Sequence, residues 1–341
     1  MALLDVRNLS ADIPTRRGTL RAVEDVNFSI SSGECLGIVG ESGSGKSVTC
    51  KTILGLLGTS ARTGGEAVFD GTDLMALSEA GLSRIRGRDI AMIVQDAVSA
   101  LNPVLRVGGQ IAEGMLEQGV VGSRREAMSR AVDLMRKVGI PSPEERARDY
   151  PHQFSGGMCQ RVVIATALAC GPRLLIADEP TTALDVTVQD QILALLRQLQ
   201  RDLDLAVILV THDMGVVAET CQRVAVMYAG QVVETATPAE LFSGPRHPYS
   251  AALLDCVPDL DAPMAQRLRP IKGLPPDLVD LPAGCRFHPR CPMATNECRT
   301  GKIPLIDIGG GRATRCLRHD DMARPKSISA ADSATAELGT A

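Results

Sequence analysis

Residues 1–34 alternate apolar and polar side chains. Leu4, Val6 and Leu9, then Val23, Val26, Phe28 and Ile30, recur with the short period of strands packed on one face. Cys35-Leu36-Gly37-Ile38-Val39 is a continuous apolar run stopped by glycine, which predicts a strand buried on both faces. A helix is predicted over 47–57. From about 72 to 150 helical periodicity dominates, with Arg- and Glu-rich surfaces such as 124–138. Leu174-Leu175-Ile176-Ala177 and Val207-Ile208-Leu209-Val210 predict two further buried strands, with a helix over 186–203 between them. The segment 244–320 is rich in Pro and Gly, and the Ala/Ser-rich tail beyond about 321 predicts disorder. No internal repeat is visible. Strands alternating with helices around buried runs predict a doubly wound α/β core with a helical insertion, preceded by an antiparallel β part.

Composition narrows the function classes. A chain of 341 residues, 45% hydrophobic, buries one large core plus a smaller appended unit. With 36 basic against 40 acidic side chains and 2% aromatics, it lacks the basic excess and stacking residues of a nucleic-acid binder, so no nucleic-acid partner is expected. The first residues show no basic segment followed by an apolar one, so no signal peptide is read. Apolar runs such as Leu205 to Val210 are too short to span a bilayer. A soluble, cytosolic chain is expected, which acts at a membrane only through partners. Its thiols are then reduced, and Cys35, Cys50, Cys159, Cys170, Cys221 and Cys256 read as small hydrophobes.

Chemistry is concentrated at two strand ends. Gly40-Glu41-Ser42-Gly43-Ser44-Gly45-Lys46-Ser47 matches the phosphate-binding loop G-x-x-x-x-G-K-[ST] at every fixed position, after a buried strand and before a helix. Its glycines let backbone N–H groups curl round phosphates at a helix N-terminus, which Val48 continues. Lys46 can reach the β/γ-phosphates, and Ser47 can ligate Mg²⁺. Asp178 and Glu179 leave the end of an apolar strand, where ligands bind in open α/β sheets. Strand side chains alternate in direction, so the two play different parts. Asp178 is expected to hold the Mg²⁺ shell, and Glu179 to polarise the attacking water.

Four further features give the chain its likeness. Phe154-Ser155-Gly156-Gly157-Met158-Cys159-Gln160-Arg161 resembles the signature L-S-G-G-Q of ABC ATPases, and Gln95 resembles their Q-loop glutamine. Ala183-Leu184-Asp185 is similar to the D-loop, and His212 to the switch histidine. The stretches Ile93 to Val107, Tyr150 to Gln153, Pro180 to Thr187 and Arg246 to Tyr249 are similar to the ATPases of dipeptide and oligopeptide import, the D-type subunit in particular. A distant alternative is an ABC ATPase of DNA repair or chromosome maintenance, which would carry a long coiled-coil or zinc insertion between Lys46 and Asp178, a stretch of modest length here.

The resemblance implies a P-loop NTPase of the ABC type. Its ATPase domain is 1–243, with a helical subdomain at about 97–170, and a Pro/Cys-rich extension covers 244–320. It implies an ATP-hydrolysing subunit, peripheral on the cytoplasmic face of the inner (plasma) membrane, that energises import of dipeptides or oligopeptides. Related machinery serves nickel, opines and other small solutes. Expected partners are two membrane permeases, a second ATPase that is a non-identical homologue, and, indirectly, an extracytoplasmic peptide-binding protein. Ser155, Gly156 and Gly157 would meet the γ-phosphate held by the partner ATPase, and Asp185 would lie in the D-loop. Gln95 would join Ser47 and Asp178 at Mg²⁺, and His212 would position the γ-phosphate and water. The family's adenine-stacking position is commonly aromatic, but no aromatic precedes Phe28. Arg16 or Arg17 is expected to stack on the base instead, with solvated arginines as the alternative.

Cys285-x5-Cys291-x6-Cys298-x17-Cys316 is not the C-x₂-C spacing of ordinary zinc sites, and spacing alone leaves a metal site and unligated thiols equally open. The peptide-importer family carries the same Gly-Cys-x-x-x-x-Arg-Cys-Pro pattern found here from Gly284 to Pro292. That resemblance implies a [4Fe–4S] cluster, with zinc as the alternative.

Overall fold

The computed structural model describes residues 2–182, 184–256 and 270–322. Ala183, expected in the D-loop, and, from residue 323, the tail expected beyond 321 lie outside the described residues. Leu4–Thr15 and Gly18–Ile30 form an antiparallel hairpin. With Arg62–Phe69 and Thr72–Asp73 they make a four-stranded sheet. The second sheet has the order Ile306–Gly309, Arg312–Thr314, Gln231–Ala236, Arg223–Tyr228, Cys35–Val39, Ala206–Thr211, Leu174–Asp178, Ile90–Ile93. Its last five strands run parallel, and Gln231–Ala236 and the two C-terminal strands are antiparallel additions.

The continuous apolar runs follow from burial on both faces. Leu36 and Ile38 join a core shared with Leu4, Val6 and Ile30 of the small sheet and Ile53 of the helix Lys46–Ile53. Cys35 and Val39 point the other way, into the core that holds Leu196 and Leu199 of the helix Val186–Leu203. Each such side chain contributes about 1.5–3 kcal/mol by leaving water. On Val186–Leu203 the buried Ile192, Leu196 and Leu199 form one stripe at helical spacing. Asp185 caps its start, its carboxylate accepting from Val188 N at 3.0 Å. The helix that follows the P-loop is shorter than expected. It ends at Ile53, because Leu54 leaves helical geometry and Gly55 takes a positive φ of 60°.

The region from 72 to 150 contains strands as well as helices. Ile90–Ile93 pairs in parallel with Leu174–Asp178 at the sheet edge and carries Gln95 to the site. Beyond it, Val107–Glu117 and Arg124–Lys137 pack on Gly156–Leu168, with Ile111, Met115, Met135 and Ile164 buried between them. The C-terminal hairpin Ile306–Gly309/Arg312–Thr314 extends this second sheet through Gln231–Ala236. Glu234, fully buried, joins these parts. It accepts from Arg246 N, His247 N and Arg312 Nη2 at 2.7, 2.9 and 2.8 Å. Among the described residues, no helix is long and apolar enough to cross a membrane.

Candidate active site

Gly40 to Gly45 form a tight loop between the strand Cys35–Val39 and the helix Lys46–Ile53. Side chains are excluded at its ends. A Cβ on Gly40 would lie 2.1 Å from Met227 O, and one on Gly45 (φ 102°) would lie 2.5 Å from Ala22 O. Lys46 is buried, and its ammonium donates to Gly40 O at 2.7 Å and Glu41 O at 3.0 Å. Burial lowers its pKa, while the carboxylates of Glu179, Asp178 and Glu41 oppose that shift. Ser44 Oγ is buried without a hydrogen-bond partner among the described residues. Such an orphan, beside glycines that admit no side chain, fits a cradle for a phosphate oxygen. Ser42 and Gly43 lie at the exposed tip, and Val48 is half-buried on the helix.

Ser47 Oγ donates to Asp178 Oδ1 at 2.8 Å, so hydroxyl and carboxylate share one point. Burial raises the Asp178 pKa, and the Ser47 bond partly offsets it. That is a suitable oxygen pair for Mg²⁺ and its water shell. Glu179 follows in the left-handed region (φ 49°), its amide bonded to Val210 O at 2.9 Å, which turns its side chain away from that of Asp178. Glu179 Oε2 accepts from Gln95 Nε2 at 2.9 Å and from Thr182 Oγ1 at 2.8 Å. His212 Nδ1 stands 3.7 Å from the other oxygen, Oε1. Gln95, Glu179 and His212 thus meet at three strand ends. Thr182 belongs with them, although no spacing marked it in the sequence.

Residues 23–182 match the family profile described as "ABC transporter", and residues 233–298 match "Oligopeptide/dipeptide transporter, C-terminal region". The chain is 49% identical over 317 residues to the oligopeptide transport ATP-binding protein OppD of Salmonella typhimurium, covering 93% of each. It is 47% identical over 328 residues to the dipeptide transport ATP-binding protein DppD of Escherichia coli, covering 95% of this chain and 99% of that one. The chain belongs to the ABC transporter ATP-binding proteins. Among solved structures, the dimeric ATP-binding cassette MJ0796 bound to ADP and Pi superposes with a TM-score of 0.62 at 29% identity, over 69% of this chain and 98% of that one. CbiO1 of Clostridium perfringens gives 0.60 at 29% identity, over 71% and 90%. The fold is the ABC ATPase cassette, and the chain is an ATPase.

Ser155 caps the helix Gly156–Leu168, its hydroxyl accepting from Met158 N at 3.3 Å. Gly156 faces Leu184, and a Cβ on Gly157 would lie 2.6 Å from Val188 Cγ1. Asp185 is occupied in capping. Arg16 is exposed at the tip of the first hairpin, and Arg17 pairs with Asp277 of the C-terminal region at 2.5 Å.

Cys285, Cys291, Cys298 and Cys316 line one cavity of about 20 Å³, with His247, Phe287 and His288 also on its wall. Burial pushes the Cys285 thiol up to about 11 and the Cys316 thiol up to about 12, with the neighbouring cysteines adding to the rise. As arranged, no group of three or more His, Cys, Asp or Glu forms a metal-holding set among the described residues. Of the six scattered cysteines, Cys35, Cys50, Cys159 and Cys221 are buried as the sequence suggested, whereas Cys170 and Cys256 are half-buried.

Proposed function

We propose that this ATPase energises the import of dipeptides or oligopeptides across the cytoplasmic membrane. The match of residues 233–298 to the C-terminal region of oligopeptide and dipeptide transporters carries the reading. The ATPase would sit on the cytoplasmic face, bound to two permeases and a second, non-identical ATPase, and fed indirectly by an extracytoplasmic peptide-binding protein. Reconstituted with permeases and that binding protein, the native chain should hydrolyse ATP faster when peptide is added. Stimulation by nickel, an opine or another small solute, and not by peptide, would redirect the substrate assignment and leave the ATPase intact.

The geometry supports the following roles. Gly40, Ser42, Gly43, Ser44, Gly45 and Val48 shape the phosphate cradle. Lys46 gives up its carbonyl partners for the β/γ-phosphates, and Ser47, Asp178 and Gln95 hold the Mg²⁺ shell. Bound Mg²⁺ would neutralise charge that develops on the phosphate oxygens. Glu179 Oε1, unburdened by the two donors that fix Oε2, takes a proton as the water oxygen bonds to the γ-phosphorus. The bond to the β-phosphate oxygen breaks, leaving ADP and phosphate. His212 orients the water and γ-phosphate, and the exposed rim of the hairpin, Arg16 or Arg17, flanks the base. Ser155, Gly156 and Gly157, with Asp185 behind them, complete the site of a second ATPase. The helix start at Ser155 would lend its dipole to that partner's γ-phosphate.

For the cysteines we propose a [4Fe–4S] cluster, with zinc as the alternative, because all four line one cavity. Closing on a metal would require the thiols to shift and lose their protons, and no step of hydrolysis runs through them. Colourless protein free of iron and zinc after anaerobic purification would remove this assignment.

A further inference from the structure

Arg290 lies one residue before Cys291, in the C-terminal extension, yet its side chain reaches the P-loop. We infer that Arg290 is a positioning residue for nucleotide binding: through Glu41, the second residue of the loop, it holds the phosphate cradle in shape. The side chain is 4% exposed, and its guanidinium grips both Glu41 oxygens, Nη1 to Oε2 at 2.8 Å and Nη2 to Oε1 at 3.1 Å. It is itself fixed. Nε donates to Lys272 O at 3.0 Å, Nη1 also reaches Tyr228 Oη at 3.4 Å, and its plane lies against the rings of Tyr228 and Phe287.

Residue 41 is held at every polar atom. Its amide donates to Oη of the buried Tyr249 at 2.9 Å, again from the C-terminal part of the chain. Its carbonyl accepts from Lys46 Nζ at 3.0 Å and from Ser44 N at 3.2 Å. The carbonyl that parks Lys46 and bends the loop at Ser44 therefore belongs to a residue whose side chain Arg290 clamps. Without the clamp, Glu41 is free to turn, and the loop must be ordered by the nucleotide, at a cost in affinity. The inference rests on residues 40–47 being the nucleotide cradle.

The test titrates the full-length chain with a methylanthraniloyl ATP analogue and Mg²⁺, alongside thermal unfolding without nucleotide. For Arg290→Gln, Kd should rise about tenfold, the scale of one lost charge-assisted bond, with kcat at saturating ATP close to native. Glu41→Gln should weaken binding similarly, and the double substitution should be no worse than either single one. Arg290→Lys, which keeps charge but loses the two-pronged grip, should fall between. Should Arg290→Gln not fold, Glu41→Gln and Arg290→Lys carry the same comparison. An unchanged Kd, even with a lowered Tm, overturns the inference, as does a double substitution whose effects simply add. Lys46→Ala separates the two readings: if it binds nucleotide as the native chain does, the cradle assignment itself is wrong.

Discussion

Replacing Glu179 by glutamine isolates the proton acceptor from everything around it. The substitution keeps length and shape, and the amide oxygen can take the place of Oε2, accepting from Gln95 and Thr182 as before. What changes is the other position. Oε1, 3.7 Å from His212, becomes an N–H₂ with no lone pair for a proton. A well-placed general base contributes about 10²–10⁴ in rate, or about 2.7–5.4 kcal/mol of barrier. Lys46, Ser47 and Asp178 are untouched, so nucleotide affinity should stay within about twofold. Phosphate release measured at saturating ATP, with binding of a fluorescent analogue on the same preparation, separates the two quantities. Hydrolysis within about tenfold of native, with affinity unchanged, would refute the assignment of Glu179 as acceptor.

Other expectations are equally direct. Thr182→Val removes one of the two donors on Glu179 Oε2; kcat should drop about ten- to a hundredfold with KM little changed, the worth of one hydrogen bond to a charged group. Glu234→Ala leaves two backbone N–H groups and Arg312 without their buried acceptor, and denaturant unfolding should show a loss of about 3–5 kcal/mol. Gly157→Ala drives a methyl toward Val188, so about 1–3 kcal/mol of stability should go, together with ATPase activity of the assembled transporter.

Much of this was legible along the chain. The helix over 186–203 appears at those residues because stripe and cap agree, and the glycine-stopped run 35–39 is a strand buried on both faces. Gln95, Glu179 and His212 could be picked out by motif, since each follows a strand of the parallel sheet. Ile90–Ile93 was hidden because four residues are too few to show a period among helices. The hairpin of Ile306–Gly309 and Arg312–Thr314 was hidden by the glycines that turn it. The Glu41–Arg290 clamp spans 249 positions, a distance at which no local pattern reports a contact. Thr182 looked like one more residue of the loop after Glu179, and only the fold brings its hydroxyl onto the carboxylate.

Whether hydrolysis here drives peptide import is read out by uptake. Labelled dipeptides and longer peptides would be supplied to cells lacking this chain, complemented with the native protein or with Glu179→Gln, in a background without redundant transporters. Uptake should be lost on deletion and restored by the native chain alone. Uptake that persists on deletion, or that Glu179→Gln restores in full, would contradict a role in peptide import.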